Sequence, residues 1–269
     1  MIFWIASYPK SGNTWVRAFL TNYLTKNKLG IFQDIENITR FPRKDQFEGL
    51  VNESEFKKGN LDMFKYFILA QEKINSNNKL NILKTHNFAG SIQNSPFSNL
   101  KNTSAALYLV RDPRSVAVSY AYHANISFEK SVDDLLHEKR IIDNSGISEA
   151  RLSWKINLMS WLNSPWPKLL IRYEDLHNDA FGYFKRILIY LSQFVKIEID
   201  DDKIKQSIKT CSFKNLSDLE KKIGFKERKN ETNFFRKGEI DEWKNSLSSD
   251  LITKIEKHFK KEMEELSYL

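Results

Sequence analysis

The sequence is poor in residues that define several protein classes. A single cysteine, Cys211, precludes a disulfide within the chain, so nothing points to an oxidising compartment. Nine glycines and six prolines among 269 residues exclude collagen-like and low-complexity architectures. The apolar run at residues 2–6 is far too short for a membrane span or a signal-peptide core. These features predict a globular cytoplasmic protein without a membrane span.

The charge balance favours anionic partners. Lys and Arg number 42 against 34 Asp and Glu, which gives a formal net charge of +8. Nucleic acid, a membrane surface and a phosphorylated small molecule all fit such a charge, as does an ordinary lysine-rich surface. Charge alone does not choose among these interpretations.

Four short apolar runs alternate with helical patterns along the chain. The runs lie at 2–6, 80–83, 105–110 and 169–173, and their continuous apolar character is typical of buried parallel strands. Strands alternating with helices predict an α/β fold, here a single domain over residues 1–269 with a central parallel sheet flanked by helices. Asn13 or Thr14 is the expected cap of the first helix. Further helices are predicted at 61–75, 115–124, 131–139, 149–162, 180–194, 201–209 and 249–265.

Charged residues follow the predicted strands where each strand ends. Lys10, His86 and Arg111 come soon after the first three runs, and Glu174 follows the fourth. Ligands of such sheets bind outside the carboxyl ends of the strands. The sequence therefore predicts an anionic ligand at this edge.

The loop after the first strand has the chemistry of a phosphate site. In a Walker A motif the Lys follows the final Gly, whereas Lys10 precedes Gly12. A glycine that permits close approach, a helix N-terminus and a nearby lysine nevertheless suit an anion. An ordinary capped turn between a strand and a helix fits the loop equally well.

This loop resembles the 5′-phosphosulfate loop, YPKSGTTW, of sulfotransferases that use 3′-phosphoadenosine 5′-phosphosulfate (PAPS). It has Asn13 where Thr is more frequent, as in bacterial members that modify glycopeptides. Three further segments resemble family motifs in the family's order: the KTH segment, the 3′-phosphate motif and the RKGxxGDWK motif. The four segments are Tyr8-Pro9-Lys10-Ser11-Gly12-Asn13-Thr14-Trp15, Lys84-Thr85-His86, Arg111 to Tyr120, and Arg236-Lys237-Gly238 with Asp241-Glu242-Trp243-Lys244.

The resemblance implies a P-loop-NTPase-like phosphate loop and transfer of a sulfuryl group from PAPS to a hydroxyl or amine. The acceptor is a small molecule or a glycoconjugate, and no metal is required. His86 would be the base, Lys10 would stabilise the leaving phosphate and Lys84 would polarise the sulfuryl oxygens. Ser119 is assigned both to the catalytic group and to the 3′-phosphate ligands. The donor-binding set implied by the resemblance is Lys10, Ser11, Gly12, Asn13, Thr14, Trp15, Arg111, Ser119, Tyr173, Cys211, Phe213, Arg236, Lys237 and Gly238.

Some features depart from the family pattern. Cys211 stands where a Thr is common, and Asp241-Glu242 replaces Gly-Asp. The dimer motif KxxxTVxxxE is missing, which leaves the oligomeric state open. The acceptor pocket is expected in the loops 28–60, 87–100, 123–148 and 220–235, whose aromatic residues either wall an apolar pocket or pack locally. Those aromatic residues are Phe32, Phe41, Phe47, Tyr122, Phe128 and Phe225.

Two other functions compete with this interpretation. A P-loop-type nucleotide or small-molecule kinase shares the phosphate-loop architecture, but the sequence lacks GxxxxGK[ST] and a clear acidic pair for magnesium. A nucleic-acid-binding module would account for the charge of +8. The four ordered motifs favour the sulfotransferase, with no nucleic-acid partner.

Overall fold

The strands account for the predicted sheet. The computed structural model describes residues 1–25, 29–52, 54, 61–144 and 147–269. Apolar runs form most of the strands, since such runs are stable when both faces of a parallel sheet are covered. In chain order the strands are β1 (Ile2–Ser7), β2 (Asn81–Thr85), β3 (Ser91–Ile92), β4 (Ser95–Pro96), β5 (Thr103–Val110), β6 (Ile141–Asn144), β7 (Ile147–Ala150) and β8 (Lys168–Arg172).

The central sheet has the order β2-β1-β5-β8, and every neighbouring pair in it is parallel. The four predicted runs are these four strands, so the predicted sheet is confirmed. Two antiparallel pairs, β3 with β4 and β6 with β7, lie outside it and were not predicted. Their strands are short or lie next to polar turns, so the sequence shows no apolar run long enough to predict them.

Helices cover both faces of the sheet. Side chains of β1 alternate between two apolar clusters, with Trp4 in one and Phe3 and Ile5 in the other. The predicted α/β fold with helices around a central parallel sheet is therefore confirmed. The α-helices are Asn13–Leu24, Ile31–Asp34, Phe67–Asn75, Pro113–Ala124, Phe128–Leu136, Trp154–Leu162, Tyr173–Asn178, Ala180–Ser192, Asp201–Thr210, Phe213–Ile223, Trp243–Ser246 and Ser249–Glu265, and 3-10 helices span Ile35–Asn37, Lys44–Phe47 and Leu61–Tyr66.

Several predicted helices have other bounds. The helix predicted at 115–124 begins at Pro113, and the one predicted at 131–139 lies at Phe128–Leu136, where Ser127 caps it by accepting from the Lys130 amide. The helix predicted at 149–162 begins at Trp154, because β7 pairs with β6 and Ser153 caps the helix by accepting from the Ile156 amide. The segment 61–75 is divided into a 3-10 helix and the α-helix Phe67–Asn75. The predicted cap at Asn13 or Thr14 is wrong. Gly12 is the N-cap, and the Asn13 amide donates instead to the Ile5 carbonyl at 3.0 Å.

Among the described helices, none combines the length and the apolar character that crossing a membrane requires.

Candidate active site

A cleft of about 830 Å³ opens at the carboxyl ends of the central strands. That volume lies within the range of small-molecule and cofactor pockets. Most of the predicted site residues line it, although they come from widely separated parts of the chain. They are Lys10, Gly12, Asn13, Thr14, Trp15, Lys84, His86, Arg111, Ser119, Tyr173, Phe213, Arg236, Lys237 and Gly238.

The phosphosulfate-type loop is held tightly against the sheet. Gly12 has a φ of 96°, and a Cβ at this position would lie 2.6 Å from the Tyr173 ring, so both conformation and space require glycine. Asn13 ties the loop to β1 through the Ile5 carbonyl. Ser11 does not line the cleft, and its buried hydroxyl has no hydrogen-bond partner among the described residues. The loop thus presents its backbone and Lys10 at the helix N-terminus.

The ammonium group of Lys10 is buried, which disfavours its positive charge. Its Nζ lies 3.8 Å from the centroid of the Phe234 ring. Burial, reinforced by the Arg111 charge and opposed by Glu227, lowers the pKa of Lys10 to about 7. An anionic ligand beside this ammonium would favour its charged form. Lys10 is therefore suited to bind and stabilise negative charge in the cleft.

The His86 ring is fixed in one tautomer. Its Nδ1 lies 2.8 Å from the Ser7 carbonyl oxygen and 3.3 Å from the Ser7 hydroxyl. Because a carbonyl oxygen only accepts, Nδ1 bears the proton and Nε2 of the neutral ring keeps its lone pair. The residue that supplies the carbonyl lies at the end of β1, and His86 directly follows β2. Two adjacent strands therefore build a neutral imidazole that can accept a proton.

A buried charge network lies behind His86. Burial lowers the pKa of His86 to about 3, with Glu149 opposing this effect and Lys84 and Arg151 adding to it. Glu149 is fully buried and is bonded to Arg151 and Arg40. The two guanidinium groups hold the pKa of Glu149 well below its usual range, against the effect of burial. Burial, with the Lys84 and Arg151 charges adding to it, therefore keeps His86 neutral at physiological pH.

Arg111 joins the two halves of the cleft. Its guanidinium donates to the Lys10 carbonyl at 3.1 Å and to the Glu239 carbonyl at 2.8 Å, and it stacks 4.3 Å from the Tyr173 ring centroid. Its buried Nε has no hydrogen-bond partner among the described residues. Arg111 therefore keeps unused hydrogen-bonding capacity in the cleft.

The two cations after Phe235 are held by the same carboxylate. Glu242 pairs with Arg236, and one of its oxygens lies 3.2 Å from Lys237 Nζ. Glu242 belongs to the Asp241-Glu242 pair, which departs from the family pattern. Ser119 lines the cleft as well. The residues expected to bind a 3′-phosphate therefore line the same cleft. Two of them, Arg236 and Lys237, are paired with the Glu242 carboxylate.

Three aromatic residues of the donor-binding set implied by the resemblance, Trp15, Tyr173 and Phe213, lie close together. The Tyr173 hydroxyl donates to the Gly238 carbonyl at 3.2 Å, and a Cβ on Gly238, where φ is 73°, would lie 2.6 Å from the Phe213 ring. Phe213 is 37% exposed, which leaves a ring face for a ligand. Trp15 contacts Tyr173 edge to face at a centroid distance of 6.2 Å. Cys211 differs: it is fully buried in a core cluster, so the structure does not bring its side chain to the cleft.

Two cleft residues, Arg17 and Glu227, were missed from the sequence. The Glu227 carboxylate accepts from Thr14 Oγ1 at 3.2 Å, from Arg17 at 2.6 Å and from Lys84 Nζ at 2.7 Å. The position of Arg17 could have been predicted, because residues three apart share a helix face and Arg17 follows Thr14 at that spacing. The position of Glu227 could not, since it lies within a lysine-rich run typical of a solvated loop.

The aromatic residues of the loops pack locally and do not wall a pocket. Phe41 and Phe47 are fully buried in the main core, and Phe32 and Phe225 belong to the cluster that contains Cys211. None of the six named aromatic residues lines the cleft. Its further polar and charged lining residues are Glu36, Thr39, Arg40, Arg43, Tyr120, His123, Arg151, Lys226 and Lys229.

Comparison with known proteins agrees with this fold. Two solved structures of the same fold, each with a TM-score of 0.63, are a retinol dehydratase in complex with androsterone and inactive cofactor PAP, and a mouse sulfotransferase in complex with PAP. They are 18% and 17% identical and cover 97% and 98% of this chain, which in turn covers 80% and 84% of theirs.

Curated plant relatives are more similar in sequence. A flavonol 3-sulfotransferase of Flaveria bidentis is 28% identical, over 94% of this chain and 78% of its own length. Cytosolic sulfotransferase 1 of Arabidopsis thaliana is 27% identical, over 94% of this chain and 75% of its own. The model of the sulfotransferase domain matches residues 2–267, so this chain belongs to the sulfotransferase family.

Proposed function

We propose that the cleft binds PAPS and that this chain transfers the sulfuryl group to a hydroxyl or amine of a small-molecule or glycoconjugate acceptor. Residues 1–269 would form a single sulfotransferase domain, a proposal supported by the match to residues 2–267. The observation behind the donor assignment is that one cleft is lined by Lys10, Lys84 and His86 together with Arg111, Arg236 and Lys237. Arg111 joins the two groups, since it donates to the carbonyls of Lys10 and Glu239.

The residues present fit a nucleotide with an anion at each end. Arg111 lines the cleft and its buried Nε has no protein partner among the described residues, so a phosphate oxygen would accept from it. The helix N-terminus at Gly12 favours an anion. The exposed Phe213 ring and Trp15 suit a stacked purine, with Tyr173 at its edge. Cys211 would act only through packing behind Phe213.

The chain's own groups supply what the transfer needs. PAPS brings the activated sulfuryl group. The Nε2 atom of His86 accepts the acceptor's proton, Lys84 faces the sulfuryl oxygens, and Lys10 neutralises charge on the leaving phosphate. Backbone amides of Ser11 to Thr14 and the Thr14 hydroxyl cradle that phosphate, while Arg111, Ser119, Arg236, Lys237 and Gly238 hold the 3′-phosphate. Ser119 would act by positioning the nucleotide.

Lysines and backbone donors fill the role that a metal ion has in many phosphoryl transfers, and we propose that no metal is required. In the described ranges there is no cluster of three or more His, Cys, Asp or Glu side chains placed to hold a metal ion. Family membership leaves no observation that favours the kinase. The relatives' names, flavonol sulfotransferase and cytosolic sulfotransferase, support a small hydroxylated acceptor and a cytoplasmic location.

Donor binding is testable with adenosine 3′,5′-bisphosphate, the second product of the reaction. At 100 times its Kd this ligand should add about 2.7 kcal/mol to the free energy of unfolding, which is measured as a thermal shift. Arg111→Ala should reduce the shift strongly, because Arg111 bridges the Lys10 and Glu239 loops at the phosphate site. Adenosine 5′-monophosphate should give a much smaller shift.

Arg186→Ala is the matched control for Arg111→Ala. Arg186 lies exposed on the helix Ala180–Ser192 and does not line the cleft. Its variant should bind the bisphosphate as the wild type does. Equal binding of the monophosphate and the bisphosphate would contradict the assignment of the 3′-phosphate group. Affinity that rises with oligonucleotide length and falls steeply with salt would favour a nucleic-acid partner instead.

The affinity for the bisphosphate should fall as the pH rises above 7. Burial lowers the pKa of Lys10 to about 7, and burial with the Arg17 charge lowers that of Lys84 to about 8. Both ammonium groups lose their charge over this range in the free protein, while a bound phosphate favours their protonated forms. A loss of about tenfold per pH unit is expected for each proton taken up on binding, measured by calorimetry between pH 6.5 and 9.

The Lys10→Arg variant isolates the contribution of Lys10, because a guanidinium stays charged over the whole range. Its affinity should depend less steeply on pH than that of the wild type. An identical dependence in both proteins would show that Lys10 does not titrate in the binding step.

A further inference from the structure

The Glu227 carboxylate occupies an anion site made by the first helix and β2. One oxygen lies 2.6 Å from an Arg17 nitrogen and 2.7 Å from Lys84 Nζ, and the other lies 3.2 Å from Thr14 Oγ1. Burial acts to raise the pKa of Glu227, but the Lys84 and Arg17 charges outweigh it and hold the pKa well below its usual range. Glu227 is therefore ionised whenever it lies in this site.

Arg17 is prearranged to face an anion there. Its Nε donates to the Ile38 carbonyl at 3.1 Å, and one terminal nitrogen donates to the Ile35 carbonyl at 3.1 Å. The remaining terminal nitrogen points at Glu227. With its side chain only 3% exposed, Arg17 is held as a buried cation in one orientation. A buried cation left without an anion is strongly destabilising, so some anion must occupy this site in every state.

The site coincides with the place expected for the transferring group. Thr14 and Lys84 are the residues that the proposed function assigns to the 5′-phosphate and the sulfuryl oxygens, and both are bonded to Glu227. A sulfonate carries the same negative charge and presents oxygens of the same kind. Two anions cannot share these donors, because their mutual repulsion would be large at such a short distance.

The segment that carries Glu227 allows its carboxylate to leave the anion site when a ligand binds there. It follows the helix Phe213–Ile223 and precedes Arg236, and its neighbours Lys226 and Lys229 line the same cleft. Phe225 anchors the start of this segment against Phe32 and Phe235. A side-chain rotation beyond this anchor would free the anion site without disturbing the core.

Resting on the proposed function, we propose that Arg17 binds the sulfonate of the donor and that the Glu227 carboxylate occupies its place until the donor displaces it. The buried cations at Arg17 and Lys84 then have an anionic partner both before and after binding. The exchange also makes the free enzyme resist small anions, which lack the contacts at the far end of the cleft that a nucleotide uses to displace Glu227.

The first test compares Glu227→Gln with the wild type in binding PAPS, without acceptor, by calorimetry. Removing the competing charge should tighten binding by about tenfold, and the ligand-free variant should melt several degrees lower because Arg17 and Lys84 lose their partner. Glu231→Gln is the matched control, since Glu231 is an exposed carboxylate in the same segment. Its affinity should stay within about twofold of the wild type.

The second test uses Arg17→Gln and compares PAPS with the bisphosphate, which lacks the sulfonate. The affinity for PAPS should fall by about tenfold or more, whereas that for the bisphosphate should fall by less than about threefold. The conservative Arg17→Lys keeps a buried cation and serves if Arg17→Gln does not fold. It should lose PAPS affinity as well, because Lys cannot bond both carbonyls and the sulfonate.

Two results would overturn the exchange. One is PAPS affinity in Glu227→Gln that equals or falls below that of the wild type. The other is an equal loss for PAPS and bisphosphate in both Arg17 variants. A wild-type protein that bound neither nucleotide would refute the proposed donor itself, and that outcome is distinct from a wild type that binds both while the variants behave alike.

Discussion

Replacing His86 by asparagine should lower kcat by about 10²–10³-fold while leaving bisphosphate affinity nearly unchanged. Asparagine keeps a polar side chain of similar size but cannot take a proton. The loss should be this large because the Ser7 carbonyl fixes Nδ1 as the protonated nitrogen, which leaves Nε2 as the acceptor. The measurement is initial-rate kinetics with PAPS and a phenol or alcohol acceptor, together with calorimetry for the product nucleotide.

The pH profile gives the same assignment a second readout. The pKa of His86 is lowered to about 3, so lowering the pH from 7 to 5 leaves the ring neutral in the wild type. The acidic limb of the pH profile of kcat/KM reports protonation of the base, and it should therefore be flat between pH 7 and 5. A sharp fall near pH 6.5 would show that the base has an ordinary histidine pKa.

His258→Asn is the control, since His258 is exposed on the helix Ser249–Glu265 and does not line the cleft. It should keep wild-type kcat. Full activity in His86→Asn with an alcohol acceptor would remove the base assignment and leave the fold and family unaffected.

The parts of the site that the sequence predicts are those set by local physics. A wholly apolar run such as β1 is stable only when buried on both faces, and the residues after parallel strands must meet at one edge. These two facts place Lys10, His86 and Arg111 together before any coordinates are known. The family motifs add roles to these positions, but the placement follows from the pattern of strands.

The parts that the sequence did not predict depend on tertiary contacts. Glu227 reaches Thr14 across 213 positions, and its charged neighbours give it the pattern of a solvated surface. Cys211 is only two residues from Phe213, yet it ends the helix Asp201–Thr210 with its side chain in the core. Proximity along the chain therefore does not fix the direction of a side chain. The loop aromatics show the same limit, since Phe41 and Phe47 are core residues within a segment of irregular pattern.

Replacing Lys10 by methionine should lower kcat by about 10²–10³-fold, more than the loss of bisphosphate affinity that the missing charge causes. Methionine keeps an unbranched stem that can pack on Phe234, so the variant removes mainly the charge. The asymmetry arises because negative charge on the leaving phosphate grows during the transfer. An ammonium beside it then stabilises the transition state more than the bound donor. The backbone at position 10 has a φ of 67°. Lysine and methionine adopt this left-handed conformation at a similar cost in free energy.

The separate effects on kcat and on KM for PAPS distinguish this role from simple binding. Lys185→Met is the control, because Lys185 pairs with Asp201 on an exposed helix and should leave kcat unchanged. If Lys10→Met raised KM for PAPS and left kcat intact, Lys10 would stabilise bound donor and transition state equally. Another hydrogen-bond donor at the helix N-terminus would then have to stabilise the leaving phosphate. Thr14 is placed for it, since its hydroxyl already bonds a carboxylate oxygen. Such a result would place catalysis in the neutral donors of the loop instead of its lysine.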